Sequence, residues 1–257
     1  MTSKRLTKAY ELFENNKPRK ALKACNKVLI SEPDNCEALV IKGSCLMALF
    51  EFEKALRCFD DALAIDHTLV DVWFNKSEIF IQMFEFEEAY NCGVDILKID
   101  PTNADAWFLK GRTNYLMLLL DDASACLDEC LKLDSNHYKA LGYKGLILND
   151  KDEFDEGRAY LEKAFSIKPD DEDILMGLAM NHHRSKNHEK ALEYANKLFA
   201  VAPRHYSAFY VSIFSLLGLE RLDECIEMLG KALKYFPEDE CFLELLDVLL
   251  SQINEYI

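Results

Sequence analysis

Bulky and small residues alternate along the chain with a spacing that matches the turn of an α-helix. In residues 70–103, Trp73, Ser77 and Phe80 lie four and then three positions apart. That spacing puts all three side chains on one face of a helix. The pattern stops at Phe84, which begins a short turn. The stretch therefore predicts a first helix that buries one face.

A second helical face follows in the same stretch. Ala89, Gly93 and Ile96 are again spaced by four and three residues. Pro101 comes five residues after Ile96, and a helix does not continue readily through proline. We therefore predict two antiparallel helices joined by a tight turn, followed by another turn into the next stretch.

The same 34-residue pattern recurs seven times without insertion or deletion. Position 20 of every unit is small: Ala21, Ala55, Ala89, Ala123, Gly157, Ala191 and Cys225. Position 8 is small in six of the seven units: Ala9, Gly43, Ser77, Gly111, Gly145, Ala179 and, as the exception, Ile213. Small residues at both positions allow the two helices to cross at roughly 8 Å.

The combined pattern has a bulky residue at position 4, small residues at 8 and 20, an apolar residue at 27 and proline at 32. It resembles the tetratricopeptide repeat family. The resemblance implies an all-α fold, a right-handed α-solenoid of about seven tandem helix-turn-helix repeats. The predicted units are residues 2–35, 36–69, 70–103, 104–137, 138–171, 172–205 and 206–239. We expect the solenoid (2–237) and a C-terminal capping helix (238–257) to form a single domain.

Charge and cysteine content narrow the environment and the partners. The net charge of −15 disfavours nucleic acid and anionic membranes, which attract basic surfaces. It serves solubility, or it favours a basic partner. Cys58, Cys92 and Cys126 recur once per unit, and a spacing of about one helix diameter is too wide for disulfides. With no signal peptide or transmembrane run, we predict reduced cysteines and a cytoplasmic protein.

The sequence holds no pattern typical of catalysis. We find no phosphate-binding loop, glycine fingerprint or zinc-protease motif, so we predict no enzyme, no catalytic residues and no cofactor. His182 and His183 are adjacent in sequence and so point to different sides of their helix. This arrangement does not suit a metal site, and we predict none.

The first helix of each unit has a face opposite its buried one. In an array of such repeats these faces line a concave surface, which in the family is the usual peptide-binding groove. The predicted partner-binding residues are Tyr10, Phe13, Val40, Met47, Phe74, Glu78, Ile81, Phe108, Arg112, Tyr115, Lys139, Met176, Met180, His183, Arg184, Tyr206, Tyr210 and Phe214. The same face also holds Leu6, Ser44, Gln82, Gly142, Leu146 and Asn149.

These assignments leave alternatives open. The groove residues bind an apolar segment of another protein, or neighbouring repeats cover part of them. No three successive repeats carry the family's clamp for a C-terminal carboxylate, although Arg112, Lys139 and Arg184 remain candidates for single carboxylates. Apolar residues cover more than one face of the last helix, so it is either an apolar capping helix or a homodimer surface. The residues predicted for that dimer are Phe242, Leu246, Leu249, Leu250 and Ile253.

Two functions follow from these alternatives. The first is a non-enzymatic scaffold or adaptor that binds an apolar peptide segment of a partner in the concave groove. The second is a structural assembly subunit that associates with itself through the C-terminal helix.

Overall fold

The computed structural model describes the backbone of residues 2–255 and the side chains of residues 4–251, and this part is entirely α-helical. The helices form two compact units, Met1–Leu133 and Asp134–Ile257. The helices of the first unit are α1 (Thr2–Glu14), α2 (Pro18–Ser31), α3 (Cys36–Met47), α4 (Phe52–Ile65), α5 (Val70–Gln82), α6 (Phe86–Ile99), α7 (Ala104–Leu116) and α8 (Leu120–Leu133). Those of the second unit are α9 (Tyr138–Asp150), α10 (Phe154–Ile167), α11 (Glu172–Arg184), α12 (His188–Val201), α13 (Tyr206–Gly218), α14 (Leu222–Tyr235) and α15 (Glu240–Glu255).

The helix boundaries keep the predicted 34-residue register. Each second helix begins sixteen residues after the first helix of its pair, from Pro18 to Leu222. The last residue of several repeats caps the next first helix. Asn35, Asn103 and Asp171 each accept a hydrogen bond from the backbone N–H three residues further on, at 3.0, 2.9 and 3.2 Å. Such caps satisfy donors that the helix start leaves unpaired and so set where each first helix begins.

The predicted small positions lie where paired helices meet. The position-20 residues are all buried, from Ala21 to Cys225. At Gly145, an added Cβ would lie 2.6 Å from Leu161 Cγ and 2.8 Å from the carbonyl oxygen of Gly157. The first helix of the pair therefore has room for no side chain at this point, which confirms the role that the sequence predicts for the small residues.

The glycines offer a direct test of this packing. Gly145→Ala places a methyl group against backbone, and we expect it to lower the free energy of unfolding by about 1–3 kcal/mol. Gly230→Ala is the matched control because no atom lies within 4 Å of the added methyl. It is expected to stabilise α14 by up to about 1 kcal/mol. Urea unfolding followed by circular dichroism measures both changes, and equal effects would contradict the packing argument.

Helix α15 covers the core at the end of the second unit. Phe242 is fully buried and Leu249 is 5% exposed, in one cluster with Ile213 and Leu229. The prediction that Phe242 and Leu249 form a dimer surface is therefore wrong, because both side chains pack inside their own chain.

The other residues of the predicted dimer surface differ in how far they are exposed. Leu246 is half-buried against the same cluster, and Leu250 is 42% exposed. The side chain of Ile253 lies outside the described residues. Leu243, seven residues before Leu250, is also 42% exposed, so these two leucines share an outer face of the helix.

Candidate functional site

The predicted groove residues of the first unit lie on neighbouring first helices. Helix α3 packs against both α1 and α5. Tyr10 is 56% exposed, whereas Val40 and Met47 are half-buried against the core cluster of α3, α4 and α5. Phe74 and Ile81 are likewise half-buried, against a cluster formed with α6 and α7. Each repeat therefore covers part of its neighbour's apolar face and leaves the remainder accessible.

Phe74 and Phe108 occupy the same position in consecutive repeats. Both side chains are half-buried, as are Phe13 and Tyr115. An ion pair joins the two helices beside them, because Arg112 Nη1 lies 3.1 Å from Glu78 Oε2. The two phenylalanines thus belong to one surface on α5 and α7.

That ion pair changes the role predicted for Arg112. We expected Arg112 and Arg184 to be candidates for a partner's carboxylate. Arg112 instead pairs with Glu78, and Arg184 pairs with Asp152 and donates to the carbonyl oxygen of Asn149 at 2.7 Å. Exposed pairs of this kind contribute about 0–1 kcal/mol, so their exchange for another carboxylate would gain little.

In the second unit the predicted residues lie in different surroundings. Lys139 is exposed, with its ammonium 6.0 Å from the centre of the Tyr138 ring. Met176 and Met180 are half-buried against a core of alanines and Val211. These methionines therefore contribute to packing as well as to the accessible face.

The predicted groove residues of α13 contact other aromatic rings. Tyr210 and Phe214 lie with ring centres 4.4 Å apart, and Tyr206 stacks on Phe242 of α15 at 5.4 Å. The pKa of Tyr206 is raised, chiefly because its hydroxyl donates a hydrogen bond to Asp239. Tyr206 and Tyr210 are 41% and 36% exposed, so α15 contacts Tyr206 but leaves it partly accessible.

Two further residues predicted to line the groove are buried. Gly142 is covered by α11, where an added Cβ would lie 3.2 Å from Ile174 Cγ1. The Asn149 amide donates to the carbonyl oxygen of Gly177 at 3.2 Å and accepts from Asn181 at 2.6 Å. Assignment of both to an open surface is wrong, because helix periodicity alone does not show how far the next repeat overlaps.

His182 and His183 have the separate surroundings that their sequence positions predict. His182 is 1% exposed and stacks on Tyr194, with ring centres 5.5 Å apart. Neither of its ring nitrogens has a hydrogen-bond partner. His183 Nδ1 lies 2.9 Å from Ser215 Oγ and its ring is 5.5 Å from that of His188. Among the described residues, no group of three or more His, Cys, Asp and Glu could hold a metal.

Burial of His182 predicts a dependence of stability on pH. Burial, reinforced by Arg158 and Lys190 against the opposing Glu193, lowers its pKa from 6.5 to about 4. Protonation therefore favours the unfolded chain, so this stabilising effect is present above pH 6.5 and is lost as the pH falls towards 4. Between pH 7 and 5 the loss amounts to about 2 kcal/mol.

His182→Phe removes the titrating group and keeps a ring that stacks on Tyr194. Urea unfolding of the wild type and the variant at pH 7 and pH 5 isolates the contribution of His182, because the other titrating groups cancel in the difference. The free energy of unfolding of the wild type is expected to fall by about 2 kcal/mol more than that of the variant. Equal losses in the two proteins would contradict the prediction.

None of the nine cysteines forms a disulfide in the structure, and seven of them are buried. Burial raises the pKa of Cys25 to about 11 and those of Cys45 and Cys92 to about 12. Thiols with such pKa values stay protonated and weakly reactive at neutral pH. They act as small apolar side chains in the repeat cores.

Sequence reasoning missed one set of exposed residues, at the turn between the two helices of a repeat. Phe50, Phe84 and Leu118 are 75%, 80% and 80% exposed, and they are 34 residues apart. Their shared position in consecutive repeats was the signal that could have marked them as a set.

Comparison with known proteins agrees with the repeat pattern. The tetratricopeptide repeat family matches two segments, residues 6–68 and 138–171. No curated protein sequence matches the chain. None of the described helices combines the length and hydrophobicity required of a membrane-spanning segment.

The fold is similar to those of several solved structures. A chain in the crystal structure of the APC/C hetero-tetramer Cut9–Hcn1 has a TM-score of 0.81 at 15% identity, covering 94% of this chain and 48% of that one. This chain therefore spans about half of that neighbour. A tetratricopeptide repeat protein from Parabacteroides merdae has a TM-score of 0.75 at 17% identity, covering 97% and 98%. YrrB, described as a TPR protein with an unusual peptide-binding site, has a TM-score of 0.52 at 20% identity, covering 74% and 97%.

The segment matches, the helix register and these neighbours define the class of protein. The chain contains tetratricopeptide repeats, matched at residues 6–68 and 138–171, and its fold is an all-α solenoid of tandem helical repeats.

Proposed function

We propose that the chain is a non-enzymatic scaffold or adaptor that binds an apolar peptide segment of a partner on the first helices of its repeats. The observation that carries the proposal is the pair Phe74 and Phe108, which occupy equivalent positions on neighbouring helices and keep part of their surface accessible. Accessible apolar surface of this kind marks a binding site more often than it serves the fold. Tyr10, Phe13 and Tyr115 extend the same apolar character.

The chemistry of the surface favours a weakly held, largely apolar ligand. Each aromatic anchor contributes at most about 1.5–3 kcal/mol when fully buried, and these residues are already half covered. Ordering a flexible peptide opposes that gain. We therefore propose a dissociation constant in the micromolar range, which corresponds to a binding free energy of about −8 kcal/mol.

Further elements of the proposal rest on composition. A net charge of −15 supports protein rather than nucleic acid or anionic membrane as the partner. The free thiols support a reducing compartment, and we place the protein in the cytoplasm. The repeats account for nearly the whole of the given sequence, which supports binding rather than catalysis as the task of this chain.

The groove hypothesis is tested with Phe74→Glu/Phe108→Glu. Two carboxylates on the apolar surface should reduce capture of a bound partner at least tenfold, because charges are strongly disfavoured in an apolar interface. Pull-down from native extract, quantified by mass spectrometry, compares the wild type with the variant. Tyr10→Glu is a second variant, at a side chain 56% exposed and so less important for folding.

The matched control is Ile30→Glu/Ile65→Glu, which adds the same charge at apolar side chains 83% and 48% exposed on second helices. The control should retain the partner, and circular dichroism should show that all variants are folded. Equal recovery by the wild type and both groove variants would rule out the first-helix surface.

Self-association through α15 remains the second candidate function. Phe242 and Leu249 are unavailable for it, but Leu243 and Leu250 share an exposed face. Leu243→Glu/Leu250→Glu should then convert an associating protein into a monomer in sedimentation velocity, without loss of peptide binding. A wild type that sediments as a monomer at high micromolar concentration would eliminate this function.

A further inference from the structure

The turn between the two helices of each repeat has the same backbone conformation in all seven repeats. Position 15 has a positive φ between 54° and 62° at Asn16, Phe50, Phe84, Leu118, Asp152, Lys186 and Glu220. The turn closes the first helix with two hydrogen bonds. In the third repeat Phe84 N–H donates to Ile81 O at 3.1 Å, and Glu85 N–H donates to Phe80 O at 2.8 Å. The left-handed conformation is therefore a fixed feature of the repeat.

This conformation does not favour large apolar side chains. Asparagine and aspartate tolerate a positive φ best among residues that have a Cβ, and bulky side chains adopt it rarely. Four repeats have asparagine or a charged residue at this position, namely Asn16, Asp152, Lys186 and Glu220. Phe50, Phe84 and Leu118 do not, and all three belong to the unit Met1–Leu133.

The core does not explain these three residues either. Their exposures of 75%, 80% and 80% are among the highest of any large apolar side chains in the described residues. The rings of Phe50 and Phe84 each form an edge-to-face pair with the aromatic ring two residues later, with ring centres 5.9 Å apart for Phe50 and Phe52 and 6.1 Å apart for Phe84 and Phe86. Local geometry and burial both disfavour the residues found, so a requirement other than folding accounts for them.

An open pocket lies beside Phe84 on this surface. Phe84, Phe86 and Met117 line an open pocket of about 430 Å³ together with Glu85, Glu87 and Glu88. The pocket joins the turn of the third repeat to the end of α7 in the fourth. We call Phe50, Phe84, Leu118 and their flanking residues, 51–54, 85–88 and 119–122, the turn surface.

The turn surface is strongly acidic. Its seven carboxylates are Glu51, Glu53, Glu85, Glu87, Glu88, Asp121 and Asp122. Its one basic residue is Lys54, and that side chain pairs with Glu51 at 2.6 Å. The surface therefore alternates exposed apolar groups with negative charge, and its complement is an apolar segment with positive charge.

We propose that the turn surface docks an extended segment of another protein, in which large apolar side chains recur about every third residue with Lys or Arg between them. Equivalent helices of adjacent repeats are about 10 Å apart. A segment in the extended polyproline II conformation rises about 3.1 Å per residue and presents every third side chain on the same face, which sets this spacing. A second copy of this chain, at a net charge of −15, would meet the surface with like charge. The turn surface is distinct from the first-helix surface, so a partner could occupy both.

The test variant is Phe50→Asn/Phe84→Asn/Leu118→Asn. Asparagine suits a positive φ, so the melting temperature should stay the same or rise. The matched control is Asp152→Asn/Lys186→Asn/Glu220→Asn, which changes the same turn position in three other repeats. A fall in melting temperature of more than about 5 °C in the test variant alone would show that the three side chains stabilise the fold, and would overturn the proposal.

The probe is a phage-displayed library of random 16-residue peptides, selected on the full-length wild type and screened against each variant. We expect enriched peptides with several Lys or Arg and apolar residues three apart. They should bind the control and the Phe74→Glu/Phe108→Glu variant as they bind the wild type, and the test variant at least tenfold more weakly by fluorescence anisotropy. Their affinity should fall as the salt concentration rises, because the attraction between exposed charges is screened.

Three further results would overturn the proposal. The first is a selection with no peptide that distinguishes the test variant from the control. The second is enrichment of acidic or uncharged peptides at the turn surface. The third is a wild type that dimerises through the three residues, as judged by sedimentation of the wild type and the test variant. Because the groove variant is assayed in parallel, loss of first-helix binding and loss of turn binding are scored separately.

Discussion

Each repeat depends on the close approach of its two helices. Position 8 of the first helix meets positions 20 and 24 of the second, as at Gly145, where Gly157 and Leu161 leave no space for a Cβ. Gly43 and Gly111 are confined in the same way by Phe59 and Leu127. This contact fixes the rotation of both helices, so it also decides which of their faces are left over for other purposes.

The faces left over differ in how far the structure covers them. First-helix residues such as Val40 and Phe74 are half-buried because each repeat overlaps the next. Turn residues such as Phe84 are hardly covered because they lie beyond the helix ends. The first surface can add only part of its apolar area to an interface, whereas the second can add nearly all of it. The two surfaces therefore differ in the apolar area that the fold leaves accessible.

Polar residues replace part of the apolar core in the second unit. Asn149 and Asn181 are buried and bond to each other, and Arg158 donates to Asn181 at 3.0 Å. Such groups are tolerated because their hydrogen bonds are made inside the protein. His182 is an exception, since both of its ring nitrogens are buried without hydrogen-bond partners, and its ring stacks on Tyr194. The stabilising effect of this part of the core therefore depends on pH.

Much of the fold could be predicted from the sequence, because the period of 34 and the small residues are local features repeated many times. The helix boundaries and the buried position-20 residues both follow from that repetition. The sequence was less successful in predicting which residues lie on an accessible surface. Helix periodicity puts Gly142 and Asn149 on the same face as Phe108, but the next repeat buries the first two.

The sequence by itself determined the class of fold and the register of its repeats, since both depend on residue size at fixed spacing. Only the tertiary structure decided which apolar residues are accessible, because that depends on the overlap between helices distant in sequence. It buried Phe242 within its own chain and left Phe50, Phe84 and Leu118 exposed in a left-handed turn. Their backbone conformation and their exposure are both set by how the helix pairs end and pack, which no single stretch of sequence encodes.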